Sequence, residues 1–123
     1  MDILEINMNE KGKISPNNLF IGYVGENKAR KLSVKIDESI EVSKVYLEIL
    51  NGEEQELQEE TITIEEQGKE PITITKYTLE ILEDTFKNNR NIVNLKINGI
   101  TEGQIIKSET FILNINPSIE EKD

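Results

Sequence analysis

Twenty isoleucines against a single alanine, Ala29, constrain this chain more than any other feature of it. β-Branched side chains lose rotamer freedom against a preceding helical turn but pack well on a pleated, half-buried surface. A helical bundle is therefore a poor destination. Short segments also alternate apolar and polar residues with a period of two, which sends one set of side chains to a core and the other to water. The clearest case is Leu32, Val34 and Ile36 interleaved with Lys31, Ser33, Lys35 and Asp37.

The same alternation recurs along the chain. Val45, Leu47 and Ile49 alternate with Tyr46, Glu48 and Leu50, and Asn51-Gly52 follows as a hairpin signal because both residues tolerate positive φ. A return strand is expected from Leu57 to Ile64. A charged stretch with Gly68 and Pro71 then predicts a long exposed turn into Ile72 and Ile74. These two are even-numbered, whereas Tyr77, Leu79 and Ile81 are odd, so keeping both sets inward requires a bulge or break near Thr75 to Lys76.

Leu82 to Asn91 lacks strand character. Leu82 and Phe86 stand four apart, which predicts one or two helical turns near residues 82–89. Beyond it Val93, Leu95 and Ile97 alternate with Asn94, Lys96 and Asn98, and Gln104 to Asn116 is expected as one strand with Phe111, Leu113 and Ile115 inward. Pro117 ends it. Upstream, Ile3 to Met8 reads as a short strand, Gly12 to Asn18 as a loop and Leu19 to Tyr23 as another strand. The expected fold is all-β: an antiparallel β-sandwich of seven to nine short strands with one short helix. It occupies residues 1–119 as a single domain, followed by a charged tail at 120–123.

At 123 residues the chain can bury roughly two thirds of its unfolded surface, enough for an ordinary core. It contains no Cys, His or Trp, which excludes disulfides, thiolate nucleophiles, imidazole bases and nitrogen- or sulfur-ligated zinc. Twenty-four acidic residues face 14 basic ones, a formal net charge of −10, so phosphate backbones and anionic membrane surfaces are poor partners. No apolar run approaches a spanning helix, and the Met1-Asp2-Ile3-Leu4-Glu5 start has neither a basic n-region nor an apolar h-region, so synthesis in the cytoplasm is expected.

Candidate sites are few. The acidic run from Asn51 to Gln67 (Glu53, Glu54, Glu56, Glu59, Glu60, Glu65, Glu66) contains no aspartate and reads as a solvated strand face rather than a calcium loop. Glu80 with Glu83, or Asp37 with Glu38, has the residue types of a glycosidase pair, but among 24 carboxylates such pairs arise by chance. No Ser-x-x-Lys spacing occurs, and the glycines at 22, 25, 99 and 103 are too sparse for a phosphate loop. No catalytic residue, cofactor or metal ligand is therefore assigned. The basic cluster Lys28, Arg30 and Lys31 is either a patch that steers docking to an acidic partner or the solvated start of a strand.

The order of elements resembles a known family. A strand after a glycine turn (Gly25 to Ile36), a middle hairpin, the block Tyr77-Thr78-Leu79 to Phe86, Ile92 to Ile97 and the closing Thr110-Phe111-Ile112-Leu113-Asn114-Ile115-Asn116-Pro117-Ser118-Ile119 are similar to the N-terminal domain of the upper baseplate protein of phages infecting Gram-positive bacteria. The similarity is one of pattern and spans nearly the whole chain. It implies a non-enzymatic virion protein that anchors fibre or receptor-binding components to a tail or baseplate, in contact with other tail proteins and as a homo-oligomer, trimer or higher. Proteins of that family continue into a helical linker and a further domain, whereas this sequence stops at Asp123. A carbohydrate- or cell-wall-binding sandwich is the alternative, weakened by the scarcity of aromatics to stack on sugars.

Overall fold

The computed structural model describes residues 1–117, so the charged tail 120–123 and the Ser118-Ile119 end of the closing segment lie outside the described residues. The alternating segments are extended. In chain order the strands are β1 (Asp2–Met8), β2 (Ile14–Ser15), β3 (Asn18–Tyr23), β4 (Arg30–Ile36), β5 (Lys44–Ile49), β6 (Gln55–Glu56), β7 (Gln58–Ile64), β8 (Ile72–Glu80), β9 (Arg90–Asn98), β10 (Ile105–Lys107) and β11 (Phe111–Asn116). They form two sheets, β2-β1-β4-β8-β7 and β3-β11-β9-β5-β6, with β10 also on β9. The fold is a β-sandwich, and its eleven described strands exceed the seven to nine expected.

The inner faces supply the core. Ile6, Met8, Leu32, Val34, Ile36 and Tyr77 come from one sheet, and Ile21, Val45, Leu47, Val93, Leu95, Ile97, Phe111 and Leu113 from the other. Burying each such side chain is worth about 1.5–3 kcal/mol. The β5 and β9 pairing is the most regular part, running from Lys44 opposite Asn98 to Ile49 opposite Val93.

Five expectations are corrected. The sheets are mixed rather than antiparallel, because β1 runs parallel to β4 and β3 parallel to β11. Alternation reports which way a side chain points and carries no information on which strand lies alongside. The helix near 82–89 is absent: a turn forms instead, where the Leu82 N–H donates to Thr85 Oγ1 and the Thr85 N–H donates to the Leu82 carbonyl. The Glu83 N–H goes to Asn27 Oδ1. With its first donors taken by side chains, and Ile81 and Phe86 both buried in the core, the segment never propagates a helical nucleus.

Nor is there a bulge near Thr75. β7 and β8 pair without a shift from Gln58 opposite Thr78 to Ile64 opposite Ile72. The strand expected over Gln104 to Asn116 is instead broken into β10 and β11, and the register slips between them, where Lys107 faces Lys96 but Phe111 faces Val93 on the same strand. Ser108 fills the gap, its Oγ accepting the Leu95 N–H while its own N–H donates to the Leu95 carbonyl. Finally, the return strand after Asn51-Gly52 is split. β6 pairs with β5 for two residues, buried Leu57 crosses between layers, and β7 joins the opposite sheet.

Candidate functional site

The basic cluster is dispersed by the pleat. Arg30 shares the parity of Leu32 and Val34, and Lys31 that of Ser33 and Lys35, so the two cations leave opposite faces of β4. The Arg30 guanidinium lies 5.0 Å over the Phe20 ring and pairs with Asp2 at 2.8 Å and Glu26 at 3.2 Å. Lys31 pairs with Glu60 across the outer face, while Lys28 sits at positive φ in the connection before β4. Arg30 borders a cleft of about 150 Å³ formed by residues 21–26, by Ile81, Leu82, Phe86 and Lys87, and by Ile115.

The acidic run is dispersed as well. Glu54 pairs with Lys96, Glu60 with Lys31 and Glu66 with Lys69, on different strands and turns. Asp37 is turned toward Ser39, whose hydroxyl and N–H both donate to it and hold its carboxyl below the usual aspartate range. Among the described residues no three carboxylates converge on a point that could hold a metal ion. Aromatic side chains go mainly to packing: Tyr77, Phe86 and Phe111 are buried, and Tyr46 lies beneath the Lys96 ammonium at 4.9 Å.

The sheet edges set one region apart. Edge strands expose unpaired backbone donors and acceptors, and folded proteins shorten, bend or cover them. Here β6 is two residues long, and β2 is two residues long and followed by Pro16. The Ile14 N–H of β2 donates to Glu109 Oε2 at 2.8 Å, and the Glu109 N–H returns to the Gly12 carbonyl at 2.8 Å, tying the two sheets together. On β3 the Tyr23 N–H donates to Glu26 Oε1 at 2.6 Å, which together with Arg30 holds the Glu26 carboxyl below the ordinary glutamate range. Gly22 permits that approach, since a Cβ there would stand 2.7 Å from Glu26 Oε1.

β7 has none of these devices. It is seven residues long, carries no Pro, Gly or Lys, keeps one register throughout, and its main-chain N–H groups donate to no capping side chain among the described residues. Its partner β8 meets β4 only from Tyr77 to Glu80, so beyond Tyr77 the two strands pair only with each other, an arm whose Thr73 to Thr75 side borders the segment Lys35 to Val42 across a shallow cavity. The unshifted register gives the arm two dissimilar faces. Ile62 opposite Ile74 and Ile64 opposite Ile72 form an isoleucine ladder on the side continuous with the sheet's outer surface; Thr61 opposite Thr75 and Thr63 opposite Thr73 form a threonine ladder on the other. Ile62, Ile64 and Ile72 are 43%, 41% and 58% exposed.

Sequence reasoning missed this arm because it assumed that isoleucine points inward. The unbroken Thr-Ile alternation suits either face, and the available signal was the parity conflict itself, which an outward ladder resolves without a bulge. The edge-capping carboxylates Glu26 and Glu109 leave no local signature. No protein-family model matches the chain, and no curated protein matches it.

Proposed function

We propose that this chain is a non-enzymatic structural module of a phage or prophage tail or baseplate, anchoring fibre or receptor-binding components through protein–protein contacts and residing in the virion. The observation that carries the contact role is the β7–β8 arm: an exposed isoleucine ladder beside a seven-residue strand edge whose N–H groups meet no capping side chain among the described residues. An exposed apolar surface of this kind fits contact with another macromolecule. The tail or baseplate assignment draws its support from the sequence pattern alone, in the alternating segments Gly25 to Ile36 and Ile92 to Ile97 and the closing Thr110 to Ile119.

The lack of His and Cys favours a contact role over catalysis, and the placement of the aromatics favours protein over sugar as the partner. The acidic surface keeps free subunits apart until a complementary acceptor is present, after which a homo-oligomer of three or more copies assembles with its neighbours. Gel filtration with light scattering tests this, on the chain alone and mixed with the products of neighbouring reading frames. Oligomers or mixed complexes are expected. A strict monomer that ignores every neighbour overturns the proposal.

A further inference from the structure

We infer that β7 is a strand-addition site and that its occupant is an extended segment carrying lysine or arginine from a different protein. The inference rests on the assembly role above for the existence of a partner, and specifies where and how that partner binds. Strand addition uses the main-chain groups of an open edge for affinity and the alternating side chains for selectivity. β7 offers the edge: Gln58 to Ile64 is continuous in register with β8 and uncapped among the described residues, whereas Glu26 and Glu109 occupy edge donors on β3 and β2.

Charge selects the occupant. The arm from Gln58 to Glu70 carries Glu59, Glu60, Glu65, Glu66 and Glu70 against Lys69 alone. Glu60 and Glu66 are engaged by Lys31 and Lys69, while Glu59, Glu65 and Glu70 form no ion pair among the described residues. An incoming strand with cations near its ends and β-branched residues in its middle would complement both the acidic flanks and the Ile62 to Ile64 centre.

A second copy fits poorly. Antiparallel pairing of β7 with itself sets the Glu59-Glu60 end of one strand beside the Glu65-Glu66 end of the other, between molecules that each carry a net charge of −10. Like charges placed opposite one another destabilise a strand pair.

The test is an amide NMR titration of the full chain with a synthetic peptide alternating lysine with valine. Shifts centred on the Gln58 to Ile64 amides are expected, with affinity falling as salt rises. Methylating alternate peptide nitrogens, which removes main-chain donors and leaves the charge, should weaken binding by at least about tenfold. The double variant Glu59→Lys, Glu65→Lys should weaken the basic peptide by a similar factor while its spectrum reports an intact fold.

The inference is overturned by no response at about 1 mM peptide, by shifts away from β7, or by equal binding of the methylated peptide. Tighter binding of a peptide copying Gln58 to Ile64 would overturn it in favour of self-pairing. If the double variant still assembles undiminished with neighbouring tail proteins, the strand-addition site falls while the assembly role stands; if the unaltered chain assembles with nothing, the assembly role falls instead.

Discussion

The sandwich body and the β7–β8 arm are built from the same alternating isoleucine strands, yet they spend them oppositely. Ile6, Ile21 and Ile97 are sealed between two sheets, while Ile62, Ile64 and Ile72 face outward on a pair of strands with no second layer against that face. Burial of an isoleucine is thus decided by what stands opposite its strand, not by residue type or by alternation. The body obtains its stability from the facing layer, whereas the arm is held by the β7–β8 ladder and by the ion pairs of Glu60 with Lys31 and of Lys76 with Glu5. An isolated two-stranded hairpin is only marginally stable in water, so the arm depends on its root at Tyr77 to Glu80, where β8 pairs with β4.

Truncation in the body is the harshest way to probe that difference. Phe111→Ala, at a ring sealed in the core, should lower unfolding free energy by about 3–5 kcal/mol in urea titration. A much smaller loss would mean that the layers are not closed around it. Next comes Asn91→Ala. The Asn91 side chain is 2% exposed, and its Nδ2 donates to the carbonyls of Asn88 and Leu113, binding the β8–β9 connection to β11. Stranding those acceptors should remove about 1–3 kcal/mol, with the loss centred on the body in hydrogen exchange.

Acidity acts on the body's own carboxylates. The Tyr23 N–H, with Arg30, lowers the proton affinity of Glu26, and the Asn94 amide, with Lys107, lowers that of Glu48. Both groups bind protons more weakly when folded, so their stabilisation is complete above the ordinary glutamate range and drains away as pH falls below roughly 4. Tyr77 is displaced the other way, upward by burial and by nearby Glu59, and Lys96 upward by its hydrogen bond to Glu54. Their contributions are complete at neutral pH and decline as pH climbs past about 10. Urea midpoints measured across pH should therefore drop at both ends, and Glu26→Gln should flatten the acid limb. An unchanged acid limb would mean that the carboxylate closing the β3 edge contributes nothing.

The gentlest change lies in the arm. Ile72→Thr should alter unfolding free energy by no more than about 0.5 kcal/mol, because that side chain is mostly exposed. A loss comparable to that of Phe111→Ala would show that the ladder is covered and would erase the distinction between arm and body.

Much of the body was legible from the chain alone. The strand at Arg30–Ile36, the turn at Asn51-Gly52 and the inward parity of Val93, Leu95 and Ile97 all follow from local alternation, and each is present. The segment near Leu82 was misread because four-residue spacing on so short a stretch mimics a helical face, while Thr85 and Asn27 capture the donors that a helix would have used. The arm was misread for a related reason: a Thr-Ile repeat is symmetric under exchange of faces, so only the register relative to Tyr77 chooses between them. Lys28, Arg30 and Lys31 look like one cluster along the chain, yet the pleat divides Arg30 from Lys31 and distant acids claim both.

By itself, the amino-acid order determined that this protein is extended, layered and acidic, since those properties arise between residues one or two positions apart. Tertiary structure decided which strands neighbour one another and which edge donors a side chain caps. Those choices depend on groups brought together from far along the chain, as Ile14 and Glu109 are across 95 positions. A pleat sorts side chains into faces locally, whereas the ladders and caps that complete a sheet form only once the chain has closed on itself.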